Sequence, residues 1–248
     1  MTDIVALQLY TVRDETAKDY KQTIRNVAEI GYAGVEFAGY GNLSSVEMSA
    51  LLKETGLKAA GTHVGLAALE QDFDAQANYC VEIGCDLLII PSIPQEMRTL
   101  EGVKKLMPQF NEYGRRARER GLTLAYHNHN FEFEIKENDV PLEEIIASNT
   151  DPDYVKFELD TYWAIFGGAD PVTFMQKHAG RIASLHLKDM TPDRQFTEIG
   201  AGTLNIADFI EAGQAAGATV FIVENDKPSI PSLESARRSF ASLHRSLT

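Results

Sequence analysis

Six histidines stand in this 248-residue chain, and four of them fall where short apolar runs end or just beyond. His63 closes KAAGTH, His127 closes LTLAYH with His129 two residues on, and His186 lies near the end of IASLHL. His178 and His244 fall in segments of helical period. Carboxylates gather at the same places: Glu36 in GVEF, Glu132 after YHNH, Asp160 at the end of KFELD, and Glu224 at the end of TVFIVE. Carboxylate oxygens mixed with imidazole suit a divalent ion of intermediate hardness. Manganese or magnesium fits such a set best, with cobalt or zinc compatible, and positions stay open for the oxygens of a substrate. Asp160, His186 and Glu224 come from successive runs and can converge, and Glu132 completes three oxygen-bearing groups and one imidazole. Crowded without a cation, four such groups would repel and shift one another's pKa. The alternative is simple hydrogen bonding between carboxylate and histidine.

Side chains so far apart in sequence need a frame that aligns the ends of their runs. Strand-length runs at Ile4–Tyr10, Gly34–Ala38, Lys58–His63, Asp86–Pro91, Leu122–His127, Tyr154–Asp160, Ile182–Leu187 and Thr219–Glu224 alternate with helical segments. In TAKDYKQTIRNVAEIG, for example, Tyr20, Ile24, Val27 and Ile30 share one face. Gly31, Gly56, Gly84, Gly121 and Gly217 follow helical segments and supply left-handed stops. Strict alternation forces parallel strands joined by crossover helices, and eight units in about 250 residues fit a closed barrel. The expected fold is α/β, a single (β/α)8 TIM barrel occupying residues 1–248 as one domain. An open doubly wound sheet is the competitor, but LQLYTVRD after the first strand lacks any phosphate-binding glycine. In a barrel, reactive groups belong at the carboxyl ends of the strands, where the four histidines fall.

Composition narrows the partners. With 36 acidic against 23 basic residues, the formal charge of −13 repels phosphate backbones and anionic membranes. No nucleic-acid or membrane partner is expected. Cys80 and Cys85 read as buried thiols, no stretch approaches a membrane span, and the N-terminus lacks a basic leader, so a cytoplasmic protein is expected. Mixed-polarity helix faces permit a homo-oligomer.

The segments GYAGVEF, YHNHNFEF, ELDTYW, LHLKD, IGAGTLN and VEND resemble the sugar phosphate isomerase/epimerase family with the xylose-isomerase-like TIM barrel. That group includes ketose 3-epimerases, hydroxypyruvate isomerase and inosose dehydratase, and the resemblance spans essentially the whole chain. It implies metal ligation by Glu132, Asp160, His186 and Glu224, with Glu132 and Glu224 doubling as acid and base. One departure stands out: the epimerase pattern ends strand five with a glutamate, where this chain has His127. Glu132 is assigned from NFEF, and His127 or His129 could take its place. Such a site acidifies the proton between a carbonyl and its neighbouring hydroxyl and stabilises the resulting enediolate.

The expected substrate is a small keto- or aldo-sugar, unphosphorylated because no basic cluster marks the strand ends. Isomerisation or epimerisation is the main reading. A lyase or dehydratase acting on a keto-sugar, 3-keto-glycoside or keto-inositol is the alternative, toward which His127–Asn128–His129 leans. An abasic-site endonuclease is opposed by the charge, and a silent sugar-binding module would bind no metal.

Lys188 is expected to contact a substrate oxygen or the enediolate, or else to pair with Asp189. His63, His127, His129, Tyr10 and Trp163 are the candidate sugar-binding residues, with Gln8 and Tyr10 on the cavity floor. Glu36 is expected to position a histidine. Lys156 is expected to pair with Glu158 inside the barrel, and GAGTLN to border the sugar site.

Overall fold

In a computed structural model that describes residues 4–247, eight parallel strands close into a barrel. They are β1 (Ile4–Gln8), β2 (Gly34–Phe37), β3 (Lys58–His63), β4 (Leu87–Ile90), β5 (Thr123–His127), β6 (Val155–Asp160), β7 (Ile182–Leu187) and β8 (Val220–Val223). Each pairs with its sequence neighbours, and β1 closes the ring on β8 through Ile4↔Val220 to Leu7↔Val223. The crossover helices are α1 (Tyr20–Ile30), α2 (Ser45–Thr55), α3 (Leu66–Ile83), α4 (Leu100–Arg118), α5 (Leu142–Asn149), α6 (Pro171–Lys177), α7 (Ile206–Ala216) and α8 (Ser232–Leu247).

Local chemistry sets the helix limits. Asp19 caps α1 by accepting from the Gln22 amide, and Gly31, at φ 114°, ends it in a conformation costly for any side chain. Ser44 and Glu47 form a reciprocal capping box at the start of α2.

Period-two alternation then sorts the strand residues. Leu7, Val35, Phe37, Leu88, Ile90, Tyr126, Phe157, Leu185 and Phe221 face outward into one apolar shell shared with the helices. Each such side chain contributes about 2 kcal/mol of burial, most of it offset by lost chain entropy. The lower interior holds Ala6, Ala60 and Ile222 in one apolar cluster and Leu87, Ile89 and Ala125 in another. Above that floor the inward positions turn polar: Gln8, Glu36, His63, His127, Glu158 and His186.

Two expectations change here. The first strand ends at Gln8, because the Gln8 side chain accepts the Tyr10 amide at 3.0 Å and Leu9–Val12 coils into a 3-10 turn. Tyr10 therefore sits above the strand, 43% exposed on the rim, instead of on the floor. Lys156 does not pair with Glu158. Same-face residues stand about 6.6 Å apart along a strand, and the Lys156 ammonium reaches toward the barrel's amino end, donating to the carbonyls of Pro152 at 2.8 Å and Gly180 at 3.0 Å.

Candidate active site

The carboxyl ends of the strands surround a cavity of about 410 Å³, lined by Tyr10, His63, His127, His129, Lys188 and Glu224 among others. Glu224 lines it, and ligand atoms of the fully buried Asp160 and His186 and of Glu224 lie within 4.8 Å of one another. These residues end β6, lie on β7 and follow β8, so neighbouring staves bring them together. The His186 Nδ1 stands 2.9 Å from Glu224 Oε2 and 4.0 Å from Asp160 Oδ2. His127 Nε2, from the end of β5, lies 3.8 Å from the same Asp160 oxygen.

Both imidazoles are backed by a deeper carboxylate. His127 Nδ1 is 3.2 Å from Glu158 Oε1, and His186 Nε2 is 2.6 Å from Glu36 Oε2. Glu158 is held in turn by the Ser184 hydroxyl at 2.7 Å, and Glu36 by the Gln8 amide at 2.7 Å. A histidine that ligates an ion through one nitrogen characteristically donates its other N–H to a carboxylate, which fixes the ring and raises its basicity. His127 and His186 are both arranged in this way around Asp160 and Glu224. Gly61 leaves room for the arrangement, since a β-carbon there would lie 2.6 Å from Glu36 Oε1.

His63, His127, Glu158 and His186 form a second group with ligand atoms within 4.8 Å, one level deeper. Its geometry is that of a hydrogen-bonded support. His63 Nε2 bridges Glu158 at 2.7 Å and Glu36 at 3.1 Å, so the carboxylates of this level are already matched to imidazole donors.

Burial works against every charge here, and the neighbours decide the outcome. For His63 desolvation favours the neutral ring, but Glu36 and Glu158 more than compensate and raise its pKa to about 9. His186 is likewise raised, against burial, by Glu158 and Glu36. Burial lowers His127 well below the usual range, and His186 reinforces the effect. Burial and then Lys188 lower His129 to about 3. Asp160 is pushed up to about 6 by burial, partly countered by Lys188. Glu224 is burdened by burial yet held well below the carboxylate range by Lys188 and His186.

Lys188 is 1% exposed and contacts Asp160 at 2.8 Å, Glu224 at 2.7 Å and Asp226 at 2.7 Å. It does not pair with Asp189. That carboxylate accepts the backbone amides of Met190, Gly200, Gly202 and Leu204, so it anchors the GAGTLN loop. The loop is fastened at Ser239 and lines a separate surface groove with Arg238 and Ser242, away from the cavity.

Glu132 is the expected ligand that the geometry leaves out. It lies in the short helix Phe131–Glu134, where Oε1 accepts the Tyr126 hydroxyl at 2.5 Å and Oε2 the His129 amide at 2.8 Å. Tyr126 faces outward from β5 into the helix-side core, so Glu132 sits behind the barrel wall. Burial raises its pKa to about 7. His127, the alternative that the sequence offered, ends β5 and stands beside Asp160 instead. Trp163 follows Asp160, whose Oδ1 accepts its amide at 2.9 Å, and its ring stands against Lys188 and His129.

Glu158 and Asp226 were not among the expected site residues. Two-residue spacing from Asp160 and from Glu224 is the signal that marks them.

Known proteins supply a comparison. A family profile described as xylose isomerase-like TIM barrel matches residues 24–245. An inosose dehydratase of Geobacillus kaustophilus (strain HTA426) is 27% identical over 195 residues, 69% of this chain and 62% of that protein, so the match spans under two thirds of the relative's length. A crystal structure of a sugar phosphate isomerase/epimerase from Parabacteroides distasonis superposes with a TM-score of 0.84 at 25% identity, covering 98% of each chain. A crystal structure of the IolI protein with a bound zinc atom superposes with a TM-score of 0.77 at 13% identity, covering 98% of each chain, which shows the shared fold. No described helix is long and apolar enough to cross a membrane.

Proposed function

The chain belongs to the xylose isomerase-like TIM-barrel family, and from that premise we propose that it is a divalent-metal-dependent lyase of the dehydratase type. Its substrate would be a small keto-sugar, 3-keto-glycoside or keto-inositol. His127, Asp160, His186 and Glu224 would hold the ion, and the carboxylates behind both imidazoles support that fit. A bound divalent ion supplies polarisation of the carbonyl and its neighbouring hydroxyl, which acidifies the carbon-bound proton.

Glu224 takes that proton at the cavity wall. His63, which Glu36 and Glu158 keep protonated near neutrality, faces the same cavity and delivers a proton to the departing hydroxyl or glycosidic oxygen. The observation that carries this reading is that Glu224 and His63, whose Nε2 is paired with Glu158 and Glu36, line one cavity. Atoms balance as loss of water or of the alcohol, with a double bond left in the product. The relative named inosose dehydratase supports the same chemistry.

Isomerisation or epimerisation is the second reading, favoured by the likeness to the Parabacteroides distasonis protein along 98% of the chain. Against it, the two-glutamate acid–base pair that the resemblance implies is not assembled, because Glu132 lies behind β5.

Proton NMR in deuterium oxide separates the two. Ketoses, aldoses, 3-keto-sugars and keto-inositols are incubated with the protein and magnesium or zinc, which do not broaden the lines. Loss of a hydroxyl or aglycone, with His63→Gln still exchanging the carbon-bound proton but no longer eliminating, supports the lyase. Exchange without elimination moves the assignment to the isomerase. Glu224→Gln stops exchange in either case, and full activity in that variant refutes its role as base.

A further inference from the structure

The Lys188 ammonium sits among oxygens that the proposed ion would need. It lies 2.8 Å from Asp160 Oδ2 and 2.7 Å from Glu224 Oε2, and both residues belong to the candidate ion-holding group. An ion bonded to these two oxygens at about 2.1 Å would lie within roughly 5 Å of Nζ, with little intervening solvent to screen the repulsion. Nζ also touches Asp226 Oδ2, whose side chain is 23% exposed and reaches the cavity. A lysine side chain has four carbons of reach and can release two of its partners while keeping the third.

We propose that Lys188 is a tethered placeholder: its ammonium holds Asp160 and Glu224 together while the ion site is empty, and an incoming divalent ion displaces it onto Asp226. This rests on the metal reading above and extends it in two ways. Without the ion the group holds together, because the buried Asp160 and Glu224 and the partly exposed Asp226 keep a counter-charge. Ion binding also delivers the ammonium to the cavity beside Asp226, where it can meet a substrate oxygen, so a charged donor reaches the substrate only in the loaded protein.

The test measures zinc and manganese affinity by competition with a chromophoric chelator for the wild type and Lys188→Met. Displacement predicts at least tenfold tighter binding in the variant, a lower melting temperature than wild type without the ion, and a larger rise when it is added. Equal or weaker binding in Lys188→Met, with the wild type binding normally, overturns the placeholder and leaves the metal reading standing. Failure of both proteins to bind sinks both proposals. If the variant does not fold, reductive methylation of the wild type followed by mass spectrometry decides. The Lys188 amine should gain reactivity severalfold when the ion is bound, and unchanged protection overturns the proposal.

Discussion

Glu36→Gln tests the support beneath the candidate ion site. Glu36 is fully buried and its Oε2 meets His186 Nε2 at 2.6 Å, Gln8 Nε2 at 2.7 Å and His63 Nε2 at 3.1 Å. All three contacts fall on Oε2, while Oε1 is buried without a hydrogen-bond partner among the described residues. A glutamine oxygen in the place of Oε2 keeps these contacts but without the charge that strengthens them, and its NH2, in the place of Oε1, is left buried and unpaired. The charge-assisted bond to His186 is worth about 1.5–3 kcal/mol. Removing a carboxylate behind a ligating imidazole typically weakens ion affinity by about 10–100-fold, or roughly 1.4–2.7 kcal/mol, which is the same range reached from the other side. Asp160, Glu224 and His127 are left in place, so the expected outcome is a weakened site in a folded protein. Chelator competition with zinc gives the affinity, and the visible absorption of the cobalt-loaded protein reports the ligand geometry. Affinity within twofold of wild type, with an unchanged cobalt spectrum, would refute the assignment of Glu36 as the carboxylate that orients His186.

Three further outcomes follow from the same contacts. Gly61→Ala places a β-carbon 2.6 Å from Glu36 Oε1 and 2.8 Å from Ile89 Cδ1, so it should lower zinc affinity about tenfold by pushing that carboxylate off His186; equal affinity would show that the cluster can shift freely. Glu132 binds its proton more tightly folded than unfolded, since burial raises its pKa from 4.5 to about 7. The stability this confers is complete below pH 4.5 and lost as pH rises through 7, by up to about 3 kcal/mol. The stability difference between wild type and Glu132→Gln, from urea titrations, should therefore shift in the variant's favour across that window, and a pH-independent difference contradicts the argument. Glu143, in the first turn of α5, is buried with neither carboxyl oxygen hydrogen-bonded, and burial holds its pKa well above the usual range. Glu143→Leu should raise the unfolding free energy by about 1–3 kcal/mol, and a loss of more than 1 kcal/mol would show a partner role for that carboxyl.

The fold was open to reading because its causes are local and repeated. Apolar runs, helix caps and the glycines after several helices recur along the chain, and strict alternation admits few topologies. Asp160, His186 and Glu224 were legible for the same reason: a residue at a strand's carboxyl end must reach the mouth of a closed barrel. Glu132 was not. Its position after His127 is a loop position, and a loop residue can turn to either side of the wall. Tyr126 and the His129 amide, both donors on the helix side, capture its carboxylate there. Lys156 shows the same limit, since period two places it inward but leaves a long side chain its choice of carbonyl or carboxylate partners.

Residue types and their spacing determined the eight-unit barrel and the level at which its chemistry collects, because hydrophobic period and strand parity act on each stave alone. Tertiary structure decided which carboxylates serve the imidazoles. Glu36 from β2 and His186 from β7 meet only through ring closure, and Lys188 finds Asp226 across the β7 and β8 loops. Those pairings depend on a fraction of an ångström between atoms that sequence separates by 150 and 38 residues. No local pattern encodes them.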